Sequence, residues 1–164
     1  MKALVTYYSE TGNTKKVAGA IYESIDFEKE IKPVQEVQNT KGYDIIFCGF
    51  PVHAHSVPAK AADLIKQMPE GQKVAFFSTH GSLRGGQLPK QAFEHAIGLA
   101  VKANVLGHFG TRGQANQKVI DMLLKSPEHK AWGEEAQSAI GHPDAHDLVD
   151  ARVFAAEMIA KARR

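Results

Sequence analysis

Runs of apolar residues alternate with segments whose apolar positions recur every three to four residues, and the alternation continues to about position 111. The run at 3–7, Ala-Leu-Val-Thr-Tyr, is almost continuously apolar, as a parallel strand covered on both faces should be. Residues 13–24 then predict a helix, with Val17, Ala18, Ile21 and Ile25 on one face. Residues 43–50 read as the clearest central strand, and 73–78 and 105–111 as two more. Two further helices are predicted. One covers about 58–68, with Ala61, Ala62, Ile65 and Met68 inward; Pro58 suits its first turn and Pro69-Glu70-Gly71 stops it. The other covers about 87–102, with Phe93, Ala96, Ile97, Ala100 and Val101 along one side. The weakest strand is 27–34, where Glu28, Lys29, Glu30, Lys32 and Pro33 are tolerated only at a sheet edge.

This alternation predicts a single α/β domain over 1–164, built on a doubly wound five-stranded parallel sheet. The charged 27–34 segment fits the edge place that the second strand takes in the order 2-1-3-4-5. The chain then runs on further than that fold needs. Residues 116–125 look helical, with Val119, Ile120, Leu123 and Leu124, and 127–139 hold a second short helix carrying Trp132. A last helix begins after Gly141-His142-Pro143, with Asp144, Asp147 and Asp150 near its start and Lys161, Arg163 and Arg164 at its end, matching the helix dipole. Leu148, Ala151, Ala155, Met158, Ile159 and Ala162 form its buried stripe. The result is an extended helical C-terminal third.

Ligands of such sheets bind outside the carboxyl ends of the strands, where the winding reverses between the first and third strands. The stretch Tyr8-Ser9-Glu10-Thr11-Gly12-Asn13-Thr14 emerges there and opens a helix. A helix N-terminus has unpaired N–H groups and a dipole that favours an anion, and the short hydroxyl side chains complete a phosphate cradle from the flanks. Gly12 lets the backbone approach a phosphate oxygen or take a positive φ. There is no G-x-x-x-x-G-K-[ST] and no G-x-G-x-x-G, so a compact cradle for one terminal phosphate is indicated rather than a nucleoside triphosphate or dinucleotide site. The same residues also read as an N-capped helix with a hydroxyl-rich turn. Lys15 and Lys16 are expected to point to solvent.

Ser9-x-Thr11-Gly12-x-Thr14 after a first strand resembles the phosphate loop of the flavodoxin family, whose members bind FMN non-covalently. The resemblance covers Lys2 to Thr111 closely and the C-terminal third loosely. It implies that Ser9, Glu10, Thr11, Gly12, Asn13 and Thr14 surround the phosphate. It also implies that Pro51, Val52, His53 and Ala54 after the third strand, with Ser78, Thr79, His80 and Gly81 after the fourth, clamp the flavin ring. The chain departs from the family in two ways. Neither clamp offers a Trp or Tyr; His53 and His80 are the flat side chains available, with Val52 and Leu83 as apolar alternatives, and His55 reads as a solvated loop residue. A less aromatic clamp leaves one ring face more open. The net charge is +2, whereas low-potential carriers of the family are strongly acidic, which puts the usual redox partners in doubt. Arg112 follows the fifth strand and is expected either to approach the flavin or an incoming anionic substrate, or to lie solvated.

Other classes find little support. No run of ~18 apolar residues indicates a membrane span, and the apolar segment after Met1-Lys2 is too short for a signal peptide. One cysteine, Cys48, sits inside a strand, which fits a reducing cytoplasm and leaves no thiolate set for a metal cluster. No basic run suggests nucleic acid. Among eight histidines, His53-x-His55 and His142-x-x-x-His146 have ligand-like spacing, but neither has a cysteine nearby and the acids at the second belong to a helix start, so no metal site is expected. Ser9 and Ser78 read as flavin contacts rather than nucleophiles. Three functions remain. The first is an FMN protein that shuttles electrons between a redox partner, such as an NAD(P)H-dependent reductase, and an acceptor. The second is an FMN-dependent reductase with its own conjugated substrate, such as a quinone or tetrapyrrole. The third is a flavin-free regulatory domain, against which the intact cradle argues.

Overall fold

The computed structural model describes residues 1–164. The elements in chain order are β1 (Lys2–Tyr7), α1 (Asn13–Ser24), β2 (Glu28–Pro33), β3 (Ile45–Pro51), α2 (Ala59–Lys66), β4 (Lys73–His80), α3 (Gln87–Leu99), β5 (Asn104–Arg112), α4 (Gln117–Lys125), α5 (Lys130–Gln137) and α6 (Ala145–Ala162). The five strands are parallel in the order β2-β1-β3-β4-β5, the order in which the charged second strand takes an edge. The charged strand β2 is an edge, where Lys2, Lys32, Glu28 and Glu30 pair in solvent.

Successive residues of a strand face opposite sides, and the core divides accordingly. Val5, Phe47 and Phe77 meet α1 and α6 on one side, while Leu4, Ile46 and Phe76 meet α2 and α3 on the other. Each such large side chain contributes about 1.5–3 kcal/mol by leaving water. Within this packing Gly49 is obligatory: a Cβ there would lie 2.1 Å from the Phe77 ring. Gly49→Ala is expected to cost about 3 kcal/mol by overpacking, read as a lower urea midpoint; an unchanged midpoint would show that the ring moves aside freely. Cys48, in the same strand, is fully buried, and burial alone pushes its thiol up to about 12, so it is inert in the folded chain.

Several boundaries differ from the sequence pattern, and those of β4, β5 and α3 matter most. β4 continues to His80 and β5 to Arg112, because Thr79 pairs with Thr111, His80 with Arg112, and the Gly113 N–H donates to the His80 carbonyl. Thr79 and His80 are therefore strand residues held in register, not loop residues. On α3 the buried stripe is Pro89, Ala92, Phe93 and Ala96, so Ile97 flanks it at 45% exposure, while Val101 lies past the helix end at Leu99 and is 85% exposed. α6 is capped by Asp144, whose carboxylate accepts from the Asp147 N–H while the Asp147 carboxylate accepts from the Asp144 N–H.

Candidate functional site

The turn from β1 into α1 is held by one side chain. Ser9 Oγ accepts from the Gly12 N–H at 3.1 Å and the Lys15 N–H at 3.4 Å. Gly12 takes φ 94° and a Cβ there would meet nothing, so glycine is needed for conformation, not space. The N–H groups of Thr11, Asn13 and Thr14 have no acceptor within the protein. They leave the first turn of a twelve-residue helix, where the dipole adds a partial positive charge. The Thr11 side chain is exposed beside them. Thr14 is turned away: its hydroxyl bonds the Thr79 hydroxyl at 2.8 Å and ties the cradle to β4. Asn13 Nδ2 donates to the Gln114 carbonyl, and Lys16 Nζ to the Pro143 carbonyl at 2.8 Å, so Lys16 is a tether between α1 and the α6 entry rather than a free surface cation.

After β3 the chain makes a tight turn in which His53 and Ser56 exchange backbone hydrogen bonds, and Ala54 is forced to φ 57°. A non-glycine residue in that region carries about 1–2 kcal/mol of strain. His53 Nε2 lies 3.5 Å from Glu10 Oε2, and the Tyr8 hydroxyl donates to Glu10 Oε1, so Glu10 joins the first loop to the second.

All the predicted contact residues except Gly12 and Ser78 line one cleft of about 400 Å³. Gly12 shapes the turn behind it, and Ser78 is fully buried one layer down with its hydroxyl unpartnered. Sequence reasoning missed a fourth wall, Gly113 to Asn116 with Val119, supplied by the chain after β5. The cleft opens into an apolar groove of about 440 Å³ that shares Val52, Ala54, His80 and Gly81 and adds Leu88, Leu123 and Trp132. Trp132 is half exposed and stacks on His129 at 5.0 Å. A tryptophan, which the loops after β3 and β4 lack, thus reaches this groove from α5. His55 borders this groove and is exposed, as a solvated loop residue would be. The only signal for Trp132 was an amphipathic α4–α5 pair with no assigned partner.

Arg112 departs from both sequence readings. It neither points at the cleft nor lies solvated. Its guanidinium donates to the Gly81 and Ser82 carbonyls on one side, and to the Glu135 and Ser138 carbonyls and Ser138 Oγ on the other, at 2.7–3.3 Å. It staples α5 to the loop after β4.

His80 is 5% exposed. Its Nδ1 faces the Ser82 carbonyl at 2.9 Å; a carbonyl only accepts, so Nδ1 carries the proton and Nε2 is a bare, unpartnered acceptor. Burial, aided by the positive charges of Arg112 and Arg84, lowers its pKa from 6.5 to about 4. Between those values the unfolded chain binds a proton that folded His80 refuses, so stability falls as pH drops from 6.5 to about 4. The loss is up to about 3 kcal/mol. His80→Gln is expected to flatten that part of the stability–pH curve; an unaltered slope would mean the ring is protonated in the fold.

His142 and His146 do not converge. His142 Nδ1 meets Asp147 at 2.6 Å with Asp144 alongside, while His146 is not part of the cluster. Burial raises the Asp147 pKa, but the Asp144 N–H and His142 outweigh it and hold the carboxyl below the usual range. Another cavity, about 590 Å³, lies at the amino ends of the strands around Met1, Gly71 and Ala162, away from the carboxyl ends where such sheets bind ligands.

Fold and cleft together define a doubly wound α/β protein whose switch-point cleft has three N–H groups without acceptors at one end and opens into an apolar groove. The chain belongs to the flavodoxin domain family, whose profile matches residues 4–156. It is similar to the flavodoxin-like domain-containing protein BilS of Clostridioides difficile (strain CD3), at 33% identity over 177 residues, covering 99% of this chain and 98% of that one. Among solved structures it resembles a flavodoxin from the domain Archaea, at 18% identity and a TM-score of 0.66 with both chains fully covered. It also resembles a flavoprotein from Lactobacillus acidophilus in complex with FMN, at 24% identity and a TM-score of 0.53, covering 66% of this chain and 92% of that one. No helix is long and apolar enough to cross a membrane.

Proposed function

We propose that the protein binds FMN non-covalently and transfers electrons through it between a redox partner, an NAD(P)H-dependent reductase or another redox protein, and an acceptor. The observation that carries this reading is the continuity of cradle, cleft and groove: unpaired N–H groups at one end and an apolar, tryptophan-bearing slot at the other. These residues fit the group. A phosphate monoester accepts from Thr11, Asn13 and Thr14 N–H, the polar cleft takes a hydroxylated chain, and Val52, Leu123 and Trp132 exclude water from a flat ring. When bound, FMN supplies reversible one- and two-electron chemistry. The protein's part is to hold it, to keep His80 neutral beside the cleft, and to fix the β4 loop through Arg112.

A second reading has the same cofactor acting on a conjugated substrate of the protein's own. The exposure of Trp132 in the groove, just over half, favours it, since a flat apolar molecule is welcome there. A cytoplasmic setting belongs to both readings and is supported by the lone buried cysteine. Anaerobic reduction of the FMN-loaded protein with candidate donors, followed by a screen of acceptors, separates the two. Fast exchange with a protein partner and none with free quinones supports the carrier; turnover of a small molecule without a partner supports the reductase. Purified protein that cannot be loaded with flavin would contradict both.

A further inference from the structure

In a doubly wound parallel sheet, a helix that follows a strand opens at the carboxyl edge, where the cleft lies. α1, α2, α3 and α4 therefore all begin around its mouth. Thr14, Leu88 and Val119, from the first turns of α1, α3 and α4, line the cleft or its groove, and α2 follows the turn that carries His53. A helix N-terminus is partly positive and is stabilised by acidic residues in its first turn. None of these four helices has one there. Each has lysine instead: Lys15 and Lys16 on α1, Lys60 on α2, Lys90 on α3 and Lys118 on α4. α6 keeps the usual arrangement, with Asp144 and Asp147 at its start. Four reversals at one edge of the molecule work against the dipole each time, so stability is not their reason.

Lys15, Lys60, Lys90 and Lys118 are exposed, and none makes an ion pair. Lys60 Nζ stands 6.0 Å over the Tyr8 ring, which meets His53 edge-on at the cleft. The carboxylates nearby are engaged. Glu10 is held by Tyr8 and His53, Asp121 by Gln117, Asp150 by Arg84, and Asp144 and Asp147 by the α6 cap and His142. Asp63 and Glu94 stand a turn farther along α2 and α3. On the α4–α5 hairpin, Glu128 and Glu134 are balanced by Lys125 and Lys130. The walls of cleft and groove contain no lysine or arginine. The four lysines thus stand on the rim, placed to meet a surface laid across the mouth rather than a small molecule inside it.

We propose that this rim docks a redox partner protein through an acidic face, with the partner's carboxylates meeting Lys15, Lys60, Lys90 and Lys118. The proposal rests on the electron-carrier reading above and adds the charge of the partner. Four like charges around one opening steer an acidic protein to it and orient it over the slot, and the helix dipoles add to the same field. The net charge of the chain is only +2, so the attraction comes from where the lysines are and not from the total.

The probes are a plant-type [2Fe–2S] ferredoxin, whose surface is strongly acidic, and cytochrome c, a small basic redox protein. Each is titrated into the nitrogen-labelled protein without flavin at about 0.01 M ionic strength, where the Debye length is about 30 Å. Ferredoxin is expected to shift the amides around the four lysines, and cytochrome c to leave them still. The affinity for ferredoxin should fall at least about tenfold at about 0.15 M, where the Debye length is about 8 Å. The combined variant Lys15→Gln, Lys60→Gln, Lys90→Gln and Lys118→Gln alters only exposed side chains and should lose at least about tenfold at low salt. Equal binding of the two probes, shifts spread away from the rim, or full affinity in the variant would each overturn the proposal. So would citrate moving the same amides as tightly as ferredoxin, which marks a small-anion site, or phosphatidylglycerol vesicles doing so, which marks a membrane surface. Should the variant fail to fold, the contrast between probes and the salt dependence of the wild type decide the matter. None of these readouts needs flavin. A protein that loads FMN but ignores ferredoxin loses the docking face alone, and one that docks ferredoxin but takes up no FMN contradicts the carrier reading alone.

Discussion

FMN is expected to bind at least about a hundredfold more tightly than riboflavin, which differs only in lacking the phosphate. Three N–H groups without acceptors at the α1 N-terminus would each gain a charge-assisted hydrogen bond, and such bonds contribute about 1.5–3 kcal/mol apiece. Orienting the phosphate and stripping its water offset much of that, so two net bonds are the conservative expectation, about 3 kcal/mol or a factor of a hundred. The backbone carries this preference, and the hydroxyls divide. Thr11→Ala should cost a further severalfold, because its exposed side chain flanks the cradle. Thr14→Ala should act on the fold, because its hydroxyl is spent on Thr79. Fluorescence titration with both flavins measures the preference; equal affinities would remove the phosphate from the α1 turn.

Arg112→Ala is expected to destabilise the chain by about 2–4 kcal/mol. The guanidinium donates to four carbonyls and one hydroxyl, and they belong to two elements distant in sequence. Deletion leaves partly buried carbonyls without donors and frees α5 from the β4 loop. Arg112→Lys should recover little, because an ammonium cannot span both sides of the staple. Urea unfolding followed by circular dichroism gives the magnitude; a loss under about 0.5 kcal/mol would return Arg112 to the class of solvated surface arginines.

The central sheet was legible because its signal is local. Strands such as 43–50 and 73–78 are long apolar runs bounded by turn residues, and β2 announced its edge place by its charges. The loop after β1 was legible because hydroxyls, an amide and a glycine crowd a strand-to-helix turn. What escaped depends on contacts distant in sequence. Nothing near Trp132 says that it reaches the loops at 52 and 81, and nothing near Arg112 says that α5 ends against it. Thr79 and His80 look like loop residues by type; only pairing with β5 makes them strand. Ser78 and Thr14 show that a hydroxyl's chemistry cannot be assigned from type alone, since a single strand or helix position decides whether it faces the cleft or the core.

Amide NMR of the nitrogen-labelled protein, titrated with FMN and separately with riboflavin, tests the placement of phosphate and ring most directly. FMN should move the Thr11, Asn13 and Thr14 amides strongly downfield and also shift Val52, Leu123 and the Trp132 indole. Riboflavin should move the second group and leave the first nearly still. If both flavins leave the three α1 amides unmoved, or if Trp132 is silent to FMN, the cradle-and-groove account of this chain is wrong.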